Sequence, residues 1–335
     1  MAEVNVNEAV RERAALFEMG EQRGLIEVCG DDRVRWLDGM ISGDVERLES
    51  SGSGAGCYAV LLTNRGAIVA DLHVAKIGET FLLESTRSEI SRIVEALDRL
   101  IIADDVILAD RSGVHVVLGL EGRAASAILR GALDGDAPAA DAWVESTLGG
   151  ASVLVGAFGW SGEDAFQIRL ASEDRSAVEA ALDAAAGEAL ARGEHEDLEV
   201  LRVEAGVPAL GLELDEEVLP PEARLERAIA TDKGCYVGQE IVARLRSRGQ
   251  VNHLLVGLDL DGTDVPEVGV ELTADGRKTG ELTSVAVSPA RGPIALGYVR
   301  REHAEPGTAV TYDGGRAEVV ALPFVPLGGE RAEST

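Results

Sequence analysis

Three shortages narrow the field. The 335-residue chain has three cysteines, Cys29, Cys57 and Cys235, none in a C-x-x-C spacing, so neither a disulfide framework nor a zinc site is expected. Lysine occurs only at positions 76, 233 and 278, leaving arginine to supply nearly all of the 31 basic residues. Long apolar runs are missing as well: no stretch reaches the ~20 residues that a membrane helix needs. The N-terminal MAEVNVNEAVRERAAL mixes acids with bases and has no apolar core, unlike a secretory signal. The histidines, at 73, 115, 195, 253 and 303, are scattered, so no metal cluster is expected. These shortages point to a soluble cytoplasmic protein with no membrane anchor.

What is abundant is negative charge. Against the 31 basic residues stand 59 acidic ones, spread along the whole chain, for a net charge of −28. A surface of this kind suits concentrated salt, where a Debye length of ~3 Å at 1 M suppresses self-repulsion. A halophilic cytoplasm is the expectation, with loosening at low ionic strength. The same field repels phosphates and argues against nucleic-acid binding. The hydrophobic fraction of 46% and the length allow a substantial core and more than one domain.

The densest chemistry lies in Thr231–Arg244, TDKGCYVGQEIVAR. Gly234 and Gly238 bracket Cys235 and Tyr236, which predicts a tight loop; from Gln239 and Glu240 onward, Ile241, Val242 and Leu245 fall at helical spacing. Cys235 then stands just ahead of a helix N-terminus with Lys233 two residues away, a setting that makes a thiol reactive. A buried structural cysteine also fits. Asp71 interrupts the apolar strand pattern AIVADLHV, where a carboxylate must be paired or used, unless it simply faces outward. In FGWSGEDAFQI, Gly159 and Gly162 predict a turn between strands that places Glu163 at a loop edge beside Trp160. A carboxylate there can accept two parallel N–H bonds and an aromatic can stack a flat ring, though an ordinary charged hairpin turn also fits. Arg202, in DLEVLRVEA, is a candidate partner for a ligand or for Glu163, with a surface salt bridge as the plainer alternative.

Helices are expected over Asn7–Phe17, Ala177–Ala191 and Asp197–Ala205, and a hairpin joins Tyr58–Leu62 to Ala67–Ile77 through Asn64 and Gly66. After residue 249, six short β-type runs separated by Asp-Gly and Pro-Gly turns predict a small antiparallel barrel.

K-G-C-Y-x-G-Q-E-x-x-x-R, from Lys233 to Arg244, resembles the signature of the YgfZ family of folate-binding proteins, which assist iron–sulfur cluster assembly or repair and are related to the glycine-cleavage T protein, an aminomethyltransferase. Other segments resemble the T protein as well: GLIEVCGDDRVRWLDGMISGDV at positions 24–45, NRGAIVADL at 64–72, GWSGEDAFQI at 159–168 and LRVEAGVP at 201–208. The resemblance implies an α+β folate-binding fold: two mixed lobes around a central cavity (residues 1–249) and a C-terminal antiparallel β-barrel (250–330). It also implies tetrahydrofolate as the cofactor, Glu163 and Trp160 on the pterin, Asp71 at the one-carbon centre, Arg202 and Tyr236 as further ligand contacts, and Cys235 as the thiol. Departures are Ala70 for the first of two aspartates, Thr86 for an asparagine and Gln167 for a glutamate. The implied function is support of iron–sulfur cluster maturation, with assembly proteins or cluster clients as partners. The alternatives are folate-dependent aminomethyl transfer or a related demethylation, and a scaffold that only holds folate.

Overall fold

The computed structural model describes residues 5–262 and 265–328; the first four residues and the last two of the expected barrel region lie outside it. Apolar alternation in the first third produces a five-stranded antiparallel sheet. Its spatial order is Gly56–Leu62, Ile68–Ile77, Thr80–Thr86, Arg23–Cys29, Ile107–Asp110. The expected hairpin turn is present, with Gly66 at φ +79°, a left-handed position that glycine adopts without a Cβ penalty. One face, including Ile26, Val28, Leu72, Val74 and Leu83, packs with Leu37, Ile93 and Leu97 of the helices Arg33–Met40 and Ile90–Asp98. Side chains alternate with period two, so the other face carries a different set. Tyr58 lies opposite His73, His73 opposite Glu84, and Glu84 opposite Leu25.

The second sheet has six strands in the order Ala191–Gly193, Ala15–Glu18, Val116–Glu121, Ala165–Leu170, Ala151–Gly156, Trp143–Leu148. Phe166, Ile168 and Leu170 pack with residues of the helices Ala125–Ala132 and Arg175–Ala186. Ala165, Gln167 and Arg169 therefore face the other way, toward the first sheet. The expected helix over Asn7–Phe17 is shorter: it spans Val6–Glu12, and Ala15–Glu18 is a strand. Ala15, Leu16 and Phe17 are buried and paired with Val116–Glu121, and that pairing overrides the helical spacing. Because this early strand joins the later sheet, the two lobes interleave along the chain. The expected helix over Ala177–Ala191 stops at Ala186, where Gly187 takes the left-handed cap. Trp143–Leu148 and Ala191–Gly193 are strands that the pattern alone did not reveal.

The last six strands close a barrel in the order His253–Leu260, Gly292–Arg300, Arg277–Ser288, Glu271–Ala274, Ala309–Tyr312, Gly315–Val320. Its interior is filled by Val256, Leu258, Leu282, Val299 and Val319. The architecture is thus the expected α+β pair of lobes with a C-terminal antiparallel barrel. Among the described residues no helix is long and apolar enough to cross a membrane, and no group of three or more His, Cys, Asp or Glu residues is placed to hold a metal ion.

Candidate functional site

The strand Ile68–Ile77 carries Asp71 toward the second sheet. Its neighbours on the strand, Ala70 and Leu72, are fully buried in the core, whereas Asp71 is half-buried. The Tyr58 hydroxyl donates to Asp71 Oδ2 at 3.0 Å. Burial pushes the Asp71 carboxyl above the ordinary aspartate range, while the positive charge of Arg23, the Tyr58 hydrogen bond and the charge of Arg227 pull it back. Tyr58 is held well above its ordinary value, first by burial and then by the Asp71 charge, so it stays a proton donor to Asp71. Arg227 lies over the Tyr58 ring at 4.2 Å and pairs with Asp141 at 3.4 Å. The result is a carboxyl whose proton affinity is set by opposing effects.

The sheets meet in a polar layer. Glu84, fully buried, takes Arg23 Nε at 2.9 Å on one oxygen and Arg169 of the opposite sheet at 2.5 Å on the other. Two guanidinium groups share one carboxylate, so the triad keeps a net positive charge, and Arg169 Nε has no hydrogen-bond partner among the described residues. Arg23 also lies over the Trp160 ring at 4.4 Å, so Asp71 and Trp160 share Arg23 as a neighbour. Aromatic rings continue the layer: His73 stacks on Phe158 at 3.8 Å between centroids, and Phe158 meets Trp160 edge-on at 6.2 Å. Gln167, on the strand that carries Arg169, is fully buried, and neither of its amide atoms has a hydrogen-bond partner among the described residues.

The Thr231–Arg244 stretch docks on the same first sheet. Lys233 is buried and donates to the carbonyls of Asp38, Ile41 and Gly43 at 2.7, 3.0 and 2.6 Å, with the Asp38 carboxylate at 3.0 Å. These groups surround the C-terminus of the helix Arg33–Met40, where a cation is favoured. Gly238, at φ +82°, caps the helix Gln239–Arg248; a Cβ there would lie 2.6 Å from the Thr63 carbonyl. The helix start thus presses on the hairpin turn that leads into Asp71. Tyr236 is buried with Lys233 over its ring at 5.3 Å, Gln239 reaches the Gly234 carbonyl at 3.4 Å, and Arg244 bonds Glu240 at 2.7 Å. Cys235 is exposed, so it is not a buried structural cysteine. Cys57, by contrast, is pushed up to about 12, chiefly by burial and next by Asp141, and burial raises Cys29 too. A groove of ≈ 400 Å³ beside the helix is lined by Ile229, Thr231, Val242, Leu245, Leu254 and Arg301, among others, and borders neither Asp71 nor Glu163.

Two family models cover nearly all of this architecture: the GCVT N-terminal domain matches residues 3–233, and the glycine cleavage T-protein C-terminal barrel domain matches residues 254–326. The chain belongs to the glycine-cleavage T-protein family. An aminomethyltransferase of Streptomyces avermitilis is 32% identical over 329 residues, covering 94% of this chain and 87% of that protein. One from Saccharopolyspora erythraea is 33% identical over 327 residues, covering 94% and 88%. The crystal structure of the glycine cleavage system aminomethyltransferase T from Bartonella henselae superimposes with a TM-score of 0.81 at 25% identity, over 95% of this chain and 88% of that one.

Within this T-protein fold, two expected ligand contacts are engaged elsewhere. Glu163 does follow a turn between strands, but it is not at a loop edge with free oxygens. It is buried; Oε1 accepts from Arg11 at 3.0 Å and faces Arg123 at 3.4 Å, while Oε2 accepts the Gly328 amide at 2.9 Å. A carboxylate buried this deeply needs those donors, and they join the first helix and the C-terminal segment to the turn. Arg202 is neither a surface pair nor a partner of Glu163: it is buried, bonded to Glu213 at 2.9 Å and to the Ser284 hydroxyl of the barrel at 2.7 Å. The structure brings Asp71 and Trp160 into one layer, and it directs Glu163 and Arg202 to packing contacts. Tyr58, Arg23, Glu84 and Arg169 complete that layer and escaped the sequence reading. For Arg23, Glu84 and Arg169 the signal was a charge in each of the apolar patterns of strands 23–29, 80–86 and 165–170; Tyr58 gave none.

Proposed function

We propose that this T-protein family member binds tetrahydrofolate between its two sheets and uses Asp71 in one-carbon, aminomethyl-type transfer. The observation that carries the reading is Asp71 itself: a half-buried carboxyl, hydrogen-bonded to Tyr58 and flanked by Arg23 and Arg227, facing an aromatic-lined layer. Aminomethyltransferases similar to the chain over 94% of its length support it. The arrangement suits a flat, nitrogen-rich group, with the half-buried Trp160 for its face and Asp71 for a basic nitrogen. Tetrahydrofolate, when bound, supplies the nitrogens that carry the one-carbon unit.

Within this reading Asp71 holds or releases a proton beside the reacting nitrogen, and its proton affinity, raised by burial, suits that exchange. Tyr58 fixes which oxygen stays engaged, leaving Oδ1 for the ligand. Arg227 at the rim, half exposed, attracts an anionic reactant. The test is an assay of folate-dependent methylene transfer: the native chain turns over, and Asp71→Asn loses roughly 10²–10⁴-fold in kcat. A native chain inactive toward every aminomethyl or methyl donor offered, yet binding tetrahydrofolate, leaves a folate scaffold instead.

The exposure of Cys235 favours a second reading, a YgfZ-type role in iron–sulfur cluster assembly or repair, with an assembly protein or cluster client docking where that thiol faces solvent. It predicts that Cys235→Ser lowers cellular iron–sulfur enzyme activity while folate binding persists. The excess of acidic over basic residues supports a salt-rich cytoplasm as the setting for either activity.

A further inference from the structure

The chain treats the two edges of the first sheet differently. Along the edge strand Gly56–Leu62, Ser42 donates its N–H to the Val60 carbonyl at 3.0 Å and accepts the Val60 N–H on its hydroxyl at 2.8 Å, and Ile41 bridges to Leu61. The opposite edge strand, Ile107–Asp110, pairs with Arg23–Cys29 on one side and, among the described residues, with no strand on the other. One hydrogen bond decides which of its groups face outward. Arg111 donates its N–H to the Leu25 carbonyl at 2.8 Å, so Ile107 and Ala109 also turn their backbone groups toward Arg23–Cys29, and Leu108 and Asp110 turn theirs away. Soluble proteins usually blunt such an edge with lysine, proline or a bulge. This strand has none of the three, and Ile107 is 61% exposed; Ile102 and Val114, in the segments that enter and leave it, are exposed at 90% and 61%.

We propose that this edge is a homodimer interface: a second copy of the chain adds its own Ile107–Asp110 strand antiparallel to the first, and the two five-stranded sheets run on into each other about a two-fold axis. The local sequence is complementary to itself in one register. An axis at Leu108 lets the two Leu108 residues exchange their outward backbone bonds. It sets Ile107 against Ala109, Val106 against Asp110, and Asp105 against Arg111 of the other copy, opposite charges at both ends of the contact. Arg111 is about half exposed while paired with Glu27 at 2.7 Å, so its guanidinium is within reach of the added strand. An axis at Ile107 would instead oppose Asp104 to Asp110, two like charges, and an axis at Ala109 would leave Asp105 against Gly113. The acidic excess sets the condition for assembly: chains of net charge −28 repel one another, so the dimer forms where salt screens that repulsion. The Asp105–Arg111 pairs, covered by the interface, are screened far less. None of this depends on the folate reading.

The experiment is sedimentation equilibrium of the full chain over a dilution series in ~0.1 M and ~1 M sodium chloride, with circular dichroism to confirm that each variant folds. The native chain is expected at twice its 35.1 kDa mass in the higher salt and to dissociate in the lower. Asp110→Pro removes an outward N–H and leaves the backbone bonds to Arg23–Cys29 in place, whereas Ile107→Lys puts a cation on the apolar side of the edge. Each is expected to weaken the dimer at least ~10-fold. Asp105→Arg and Arg111→Asp each oppose like charges across the axis, so each alone is expected to be monomeric and an equimolar mixture of the two to associate. A native chain that stays monomeric in the higher salt overturns the proposal, as does a dimer that Asp110→Pro and Ile107→Lys leave equally tight. A mixture that stays monomeric overturns the register and the self-pairing with it. Should Asp110→Pro fail to fold, Ile107→Lys, at an exposed side chain, carries the same comparison.

Discussion

Asp71 and Glu163 show how differently two carboxylates in suggestive motifs can be used. Asp71 stands out in the sequence because it breaks an apolar strand, and the structure gives it a tyrosine, two nearby guanidinium groups and partial access. Glu163 has an equally suggestive neighbourhood, yet both its oxygens hold the fold together through Arg11, Arg123 and the Gly328 amide. A linear motif could not show this, because partners of Glu163 lie at positions 11 and 328. A stability prediction belongs to Asp71. Its carboxyl is raised in the folded state, so its favourable contribution is complete below the unfolded aspartate range and is lost as pH rises through the folded value. Asp71→Asn removes that loss. Its melting temperature at pH 7 should equal or exceed the native value, and its stability should fall less than the native protein's between pH 4 and pH 7, as followed by circular dichroism.

At the scale of elements, the stretch Thr231–Arg244 was the most legible, because two glycines, a helical repeat and a lysine constrain one another. The loop and the helix from Gln239 are where the pattern puts them. What the pattern could not supply was the target of Lys233, three carbonyls some 190 residues earlier in the chain, at the end of another helix. The first helix was overextended for a related reason: Leu16 and Phe17 fit a helical stripe, and only the strand Val116–Glu121, remote in sequence, turns them into sheet. The tight docking of Gly238 against the hairpin turn gives a direct test of this element. Gly238→Ala should cost roughly 1–3 kcal/mol, from the left-handed backbone and from a Cβ 2.6 Å from the Thr63 carbonyl. Urea unfolding measures the loss. Because the same turn leads into the Asp71 strand, the variant should also weaken folate binding, whereas an exposed Gly276→Ala substitution in a barrel turn, also at positive φ, should leave binding unchanged.

Across the whole molecule, the barrel could be anticipated from its turn residues, whereas its attachment could not. Arg202 joins the helix His195–Ala205 to Glu213 and to Ser284 of the barrel, and Glu204 of the same helix bonds the barrel's Ser288 and the first helix's Arg11. Removing one partner of such a buried pair leaves the other uncompensated, so Arg202→Met should cost about 3–5 kcal/mol. Arg202→Met with Glu213→Leu should recover part of that cost, a coupling that a double-mutant cycle in urea would measure. Outside these buried pairs the net electrostatic balance is repulsive, with 59 acidic residues against 31 basic ones. Exposed charges are screened as the Debye length falls from ~10 Å at 0.1 M to ~3 Å at 1 M salt, while buried pairs such as Arg202–Glu213 are hardly affected. Raising sodium chloride across that range should therefore raise the melting temperature of the native chain. The increment should be the same in Arg202→Met, because the salt acts on the surface and the substitution on the interior. A melting temperature that falls with salt would mean that exposed ion pairs such as Arg244–Glu240 outweigh the net repulsion.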